Sequence, residues 1–223
     1  ENSYFIADLN IVDNYKSKKS KEKNTLTHLF SKFQIDLSYE SFIESSLDFS
    51  FQKVNNDTYL KVFDTNIVNT DLKPDNFDTL TSDIDLNLEN ENFSLNTGFT
   101  AYENLSKRNS DRYQYVLPYY DFSRSFFKNN NFASFNFVSQ GDNILKDTNS
   151  LRSRMINNLD IQSYGYFTEN GFKNNFNYYL KNTISAGKNN TEYDSSPHVK
   201  LMNIFELVSS YPLISTSESY SNY

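Results

Sequence analysis

Between Leu80 and Ala101 hydropathy alternates twice, once on either side of a polar tetrad. Leu80, Ile84, Leu86 and Leu88 alternate with Thr81, Asp83, Asp85, Asn87 and Glu89. After Glu89-Asn90-Glu91-Asn92 the pattern resumes, with Phe93, Leu95, Phe99 and Ala101 set against Ser94, Asn96, Gly98 and Thr100. A strict period of two puts the apolar set on one face of a strand and the polar set on the other. Two such strands joined by a short polar turn make a hairpin. The two faces then need different surroundings: either a protein core and water, or lipid and a wet interior.

The rhythm recurs along the chain. Residues 4–13 set Phe5, Ala7, Leu9 and Ile11 against Asp8 and Asn10, and residues 28–39 set Leu29, Phe33, Ile35 and Leu37 against Lys32, Gln34 and Asp36. Residues 42–53 follow with Ile43, Leu47, Phe49 and Phe51. Beyond the hairpin come 112–124 (Tyr113, Tyr115, Leu117, Tyr119), 132–139 (Phe135, Phe137) and 152–167 (Met155, Leu159, Ile161). The last two are 171–181 (Phe172, Phe176, Tyr178, Leu180) and 198–208 (Val199, Leu201, Phe205, Leu207), where Met202 and Ile204 interrupt the polar set. These make about ten strands, most of them long enough for a tilted membrane strand, which needs about 9–11 residues. No Pro/Gly-rich linker divides the chain, so residues 1–223 read as one β domain.

The connections are expected to alternate in length. "NYKSKKSKEKNTL", 54–78, "ENLSKRNSD", "QGDNILKDTNS" and "NTISAGKNNTEYDSSP" read as long. Residues 38–41, 89–92, 128–131 and 168–171 read as short. Short turns at one rim and long loops at the other are the habit of up-and-down outer-membrane barrels. The apolar run at 58–68 is expected to fold back over the mouth or into the lumen, because an extra strand there would reverse the parity of everything after it.

Composition narrows the choice of solvent. Hydrophobic content of 37% and a mean hydropathy of -0.68 look too polar for a large dry core, yet 20 Phe and 17 Tyr are too many for a disordered chain. No run of about 18 apolar residues exists, which excludes a transmembrane helix. A formal charge of -7 argues against a general nucleic-acid binder. The absence of cysteine removes disulfides, thiolate catalysis and Cys-ligated zinc. The chain begins at Glu1 in a strand-like run, which suggests an internal piece of a longer protein or a processed form.

These features predict an all-β fold, an antiparallel up-and-down transmembrane β-barrel seen in part. Ile84, Leu86, Leu88, Phe93, Leu95, Phe99, Phe176, Tyr178 and Leu180 are expected to face lipid. Aromatic girdles are expected at Tyr119-Tyr120, Phe126-Phe127, Tyr164/Tyr166/Phe167 and Tyr178-Tyr179. Arg152, Arg154, Lys173 and Lys181 fall on the opposite set and are candidates for lumenal contact with an anionic glycolipid or a plug. Charge balance against Asp and Glu of that face is the plainer use of the same residues. The Lys16–Lys23 run reads as a solvated loop tip.

Little in the sequence points to catalysis. His28 and His198 lack metal-ligand spacing and read as exposed loop or rim residues, and no nucleophile or phosphate-cradling motif occurs. No enzyme activity, metal or cofactor is expected. Other readings of the same pattern are a porin, a ligand-gated receptor, an outer-membrane hydrolase, or a soluble secreted β-sandwich or solenoid adhesin.

Several stretches, in order, resemble one family. "VNNDTYLKVFD" at 54–64, "DRYQYVLPYYDFSRSF" at 111–126 with its Leu-Pro step at Pro118, "TNSLRSRM", "LKNTISAGKNNTEYDSSP" and "LVSSYPLI" at 207–214 look like pieces of the LPS-assembly outer-membrane protein family (LptD, also called OstA). The likeness implies a place in the middle of a very large barrel in the outer membrane of a Gram-negative bacterium. It also implies lipopolysaccharide transport to the outer leaflet, periplasmic bridge proteins that supply lipopolysaccharide, and an LptE-type lipoprotein plugging the lumen. That family's gate, periplasmic domain and cysteine pairs would lie outside this stretch, and Pro118 does not correspond to a gate proline.

Overall fold

The computed structural model describes residues 3–16, 22–63, 71–126, 132–147 and 149–211. They form a single antiparallel sheet, with strands β1 (Tyr4–Tyr15), β2 (Asn24–Asp36), β3 (Glu44–Val54), β4 (Thr79–Asn90), β5 (Phe93–Asn104), β6 (Tyr113–Phe126), β7 (Ala133–Lys146), β8 (Ser150–Ser163), β9 (Tyr166–Phe167), β10 (Lys173–Lys188) and β11 (His198–Ser210). The order is sequential and up-and-down from β1 to β8, then β10 and β11, with the two-residue β9 pairing β10 off that path. A helical turn, α1 (Tyr59–Phe63), and a 3-10 turn at Asn109–Arg112 interrupt the connections.

Register carries each face unbroken across the sheet, because directly paired residues in an antiparallel ladder project to the same side. On the apolar face Phe33 pairs with Phe49, Phe49 with Ile84 and Ile84 with Phe99. Further along the same face, Phe137 pairs with Leu159, Leu159 with Leu180, and Tyr178 with Phe205. The polar face runs through Asp48, Asp85 and Gly98, and through Asp142, Arg154 and Ser185. Among the described residues no second sheet covers the apolar face. Ile84 is 42% exposed, Phe99 48%, Phe205 67% and Leu207 55%.

β6 departs from strict alternation. Between the pairs Gly98–Tyr119 and Thr100–Val116, the single residue Phe99 faces Leu117 and Pro118, and Asn143 of β7 faces the same two. The extra residue is a β-bulge, which also accommodates a proline that cannot donate to the ladder. A shift of one residue reverses the side chains. Tyr119 therefore joins the polar face, where the sequence pattern had grouped it with Tyr113 and Tyr115, and Tyr120 takes the apolar one. Each ring covers a glycine: a Cβ on Gly98 would lie 2.9 Å from Tyr119 Oη, and one on Gly141 would lie 2.9 Å from Tyr120 Cζ.

The connections differ from expectation. β7 continues to Lys146, so the seventh link is only 147–149, turned by Asp147 at φ 48°. The short turn expected at 168–171 is present and closes the β9–β10 hairpin. The Gly171 amide donates to the Thr168 carbonyl at 2.9 Å and the Thr168 amide to the Phe172 carbonyl at 2.8 Å, while 164–165 interrupt the strand before it. The predicted alternation of long loops and short turns fails at the seventh link, where apparent loop residues such as Ile144 and Leu145 extend the ladder. Residues 58–63 form no additional strand: 59–63 is α1, and 64–70 lie outside the described residues, as do 17–21 of the basic run. A buried apolar cluster forms around α1, where Tyr59, Leu60 and Leu72 pack with Leu26, Phe30 and Val54.

Candidate functional site

Ile84, Leu86, Leu88, Phe93, Leu95, Phe99, Phe176, Tyr178 and Leu180 all fall on the apolar face by register. A row of rings follows this face along the rim that holds the 37–43 and 91–92 turns. Tyr39 and Phe42 lie 6.5 Å apart between centroids, Phe42 and Phe93 5.9 Å, Phe93 and Phe122 5.5 Å, and Phe122 and Phe137 6.0 Å. Of the expected girdle positions, Tyr164, Tyr166 and Phe167 lie at a strand end on this rim, where Tyr166 stacks on Phe176 at 6.0 Å, and two pairs are corrected. Tyr119-Tyr120 and Tyr178-Tyr179 lie within strands with one ring on each face, and Phe127 is outside the described residues. Within the row, Phe93 and Phe137 had been grouped only as apolar, and Phe42 and Phe122 had not been singled out.

Several polar groups on the apolar face are tied to one another. Tyr120 Oη lies 3.1 Å from Ser139 Oγ, which donates to Asn157 Oδ1 at 2.7 Å. Tyr178 Oη donates to Asn203 Oδ1 at 2.8 Å. A hydroxyl or amide left unpaired in an apolar medium costs several kcal/mol, roughly 4–8 in a solvent unable to hydrogen-bond, so these pairings suit a face without water.

The polar face has the opposite character. Glu44 pairs directly with Glu89, and Asp48 with Asp85. Like charges set opposite each other destabilise a sheet unless solvent screens them. Asn87 donates to Asp48 Oδ2 at 3.1 Å, and Asn96 donates to Asn87 in turn.

Arg152, Arg154, Lys173 and Lys181 share this face but form no single cluster. Arg152, Arg154 and Lys181 descend together, opposite Gly187, Ser185 and Asn158 respectively. Lys173 sits at the other rim, paired with Ser210. Arg152 donates to Asp142, whereas Arg154, Lys173 and Lys181 are exposed. Arg152 also borders a cleft of about 560 Å³ that includes Lys146, Asn149 and Asn190.

Register shows a division of charge that the sequence reading missed. The polar faces of β1 to β4 carry Asp8, Asp36, Glu44, Asp48, Asp83, Asp85 and Glu89 against Lys32. Those of β8 to β11 carry Arg152, Arg154, Lys173, Lys181 and Lys200 against Asp160 and Glu206. A ligand lying on this face would meet acid at one side and base at the other.

The rim opposite the ring row is joined by polar ties. Arg112 bridges Asp57 at 2.9 Å and Glu103 at 2.7 Å, Lys107 reaches Asp147 at 3.2 Å, and Asn189 donates to the Asn149 carbonyl at 3.2 Å. Lys61 reaches Asp78 at 2.7 Å, and this hydrogen bond, joined by one from Ser106, holds the Asp78 carboxyl below its ordinary range.

α1 lies against the polar face of β2. Asn56 Oδ1 accepts from the Thr58 amide at 2.9 Å and starts the helical turn. Tyr59 is fully buried, which pushes its phenol up. Its Oη lies 2.8 Å from Nδ1 of His28, whose Nε2 lies 3.3 Å from Asp8 Oδ1 and whose ring stacks on Phe30. His28 is 2% exposed, which corrects its reading as an exposed residue; His198 is exposed. Nothing near His28 in sequence announces this burial, because the cover comes from Tyr59. Among the described residues no group of three or more His, Cys, Asp or Glu side chains could hold a metal ion.

A scan of the chain against protein-family models finds no match, and no curated protein matches it.

Proposed function

We propose that this sheet is part of the wall of an outer-membrane β-barrel that assembles lipopolysaccharide into the outer leaflet. The observation that carries the barrel-wall reading is the bare apolar face. A sheet with one apolar face is stable only when that face is covered. Here Ile84, Phe99 and Phe205 meet no second layer of described residues, while the other face holds directly opposed carboxylates. Lipid on one side and water on the other satisfies both, and the row of rings lies where an interfacial girdle belongs.

The choice of lipopolysaccharide rests on the ordered likeness of 54–64, 111–126 and 180–197 to the assembly family, and on chemistry. Arg154, Lys181 and Lys200 present cations on the wet face, with Met202 and Ile204 close by on β11. Phosphate and acyl groups of a glycolipid fit such a surface. An LptE-type lumenal lipoprotein and periplasmic bridge proteins are the partners this reading brings with it. The barrel supplies a path and performs no bond chemistry.

Photo-crosslinking tests the reading. With a benzophenone side chain at Lys181 in cells, the full-length protein should form a lipopolysaccharide adduct and should leave the membrane only with detergent. The same group at Leu86 should crosslink phospholipid. Release without detergent removes the barrel-wall reading. Membrane retention without a lipopolysaccharide adduct at Lys181 removes the substrate and favours a porin.

A further inference from the structure

We infer that the apolar face carries a binding site for the head group of an anionic phospholipid, centred on Arg124 at the rim of the ring row. The inference rests on the barrel-wall reading and names a lipid that the wall holds. Arg124 pairs with Phe93 on one side and Phe137 on the other, so register sets its side chain among the rings of the apolar face. It is exposed, and its Cζ lies 4.9 Å from the centroid of the Phe126 ring. Among the described residues no carboxylate forms an ion pair with it. Lys53 and Glu103, which share this face at the opposite rim, are placed differently and meet each other at 2.9 Å. A cation at the edge of a hydrocarbon layer is stable when its head reaches the interface and finds an anion there.

Beside Arg124, Phe42, Phe93, Asn90 and Asn92 complete a cleft of about 330 Å³. Asn90 Oδ1 accepts from the Asn92 amide, which leaves the Asn90 side-chain NH2 as a donor. Phe42 and Phe93, 5.9 Å apart, make its apolar wall. The guanidinium fork and the amide suit the oxygens of a phosphate, and the rings suit the glycerol and the first acyl carbons. The rim decides which lipid this is. Strands β4 and β5 turn here over residues 91–92, whereas β10 and β11 are joined at the opposite rim by 189–197. Outer-membrane barrels keep their short turns on the periplasmic side, so the leaflet at Arg124 is the phospholipid one. A head group with net negative charge, as in phosphatidylglycerol, is favoured over phosphatidylcholine, whose ammonium would lie against the guanidinium.

Native mass spectrometry of the full-length protein tests the site, after reconstitution into vesicles of equal parts dioleoyl-phosphatidylcholine and dioleoyl-phosphatidylglycerol and release in mild detergent. Wild-type protein should retain more phosphatidylglycerol than phosphatidylcholine. Arg124→Gln should lower that ratio about fivefold, the effect of one basic residue at an anionic surface. Arg124→Lys keeps the charge without the fork and should give a smaller drop; it also serves if Arg124→Gln fails to insert. Arg108→Gln removes an exposed cation beyond the opposite rim and should leave the ratio unchanged.

An unchanged ratio in both Arg124 variants overturns the site. An equal drop with Arg108→Gln overturns it as well, because general charge attraction would then explain the preference. Displacement of the lipid by glycerol 3-phosphate would make the ligand a soluble phosphate and overturn the lipid. Wild-type protein that retains both lipids equally loses the site and keeps the barrel wall. Wild-type protein that leaves the vesicles without detergent loses the barrel-wall reading first and the site with it, a result distinct from the others.

Discussion

Leu86 and Asn87 are neighbours in sequence, and their side chains point into different media. Leu86 pairs with Leu47 and Thr97 on the apolar face, while Asn87 donates to Asp48 on the polar one. Leu86→Arg puts a charge where the proposed bilayer lies and should cost about 2–4 kcal/mol near its midplane. Asn87→Arg adds a cation beside Asp48 and should cost less than about 0.5 kcal/mol, as surface substitutions usually do. Urea titration of the full chain folded in vesicles measures both, and equal losses would contradict the assignment of the two faces. This difference was legible in the sequence because it needs only local alternation. The division between the acidic β1–β4 side and the basic β8–β11 side was not, since it depends on which strands lie beside one another. His28 was beyond reach for a related reason: its burial is made by Tyr59, in another element. Tyr119 was misassigned because a bulge shifts parity by one residue, and an unbroken count cannot detect it.

At the scale of elements, a hairpin and a loop differ in how much of their geometry is local. β4 and β5 were readable because the apolar set resumes on the correct face after the turn, and Asn90 Oδ1 fixes that turn by accepting from the Asn92 amide at 3.0 Å. Strand β7 was cut short in the sequence reading because Gly141, Asp142 and Asn143 look like a loop. Register pairs them with Tyr120, Tyr119 and strand β8, whose side chains stabilise residues of poor intrinsic strand preference. Helical turn α1 owes its position to tertiary contacts, and one of them titrates. Lys61 and Ser106 donate to Asp78, so its folded pKa lies below the ordinary 3.8. A depressed carboxyl contributes stability above its unfolded pKa and loses it as pH falls through the folded value. Amide exchange in 58–63, corrected for the intrinsic pH effect, should therefore lose protection on acidification below 3.8, and Asp78→Asn should abolish that step. An identical acid response in the variant would show that Asp78 does not anchor α1.

For the whole molecule, the height of the apolar face sets a length that a bilayer must match. On β5 the set runs from Phe93 to Ala101, and on β10 from Phe176 to Ile184. Either interval is about 27 Å along the strand at roughly 3.4 Å per residue, or about 21 Å across a membrane for strands tilted by about 40°. Mismatch between this band and the hydrocarbon is met by tilting or by thinning the lipid, at a cost of fractions of a kcal/mol per Å. A soluble sandwich would have no such dependence, because its apolar residues would be enclosed by protein. The full-length chain, diluted from urea, should therefore insert faster and more completely into vesicles of short-chain phosphatidylcholine than into dioleoyl vesicles, and should aggregate without lipid. Protease-protected mass after refolding measures this across a series of chain lengths. Efficiency that ignores thickness, or a monodisperse folded protein in plain buffer, would show that Ile84, Phe99 and Phe205 are covered by protein rather than by hydrocarbon.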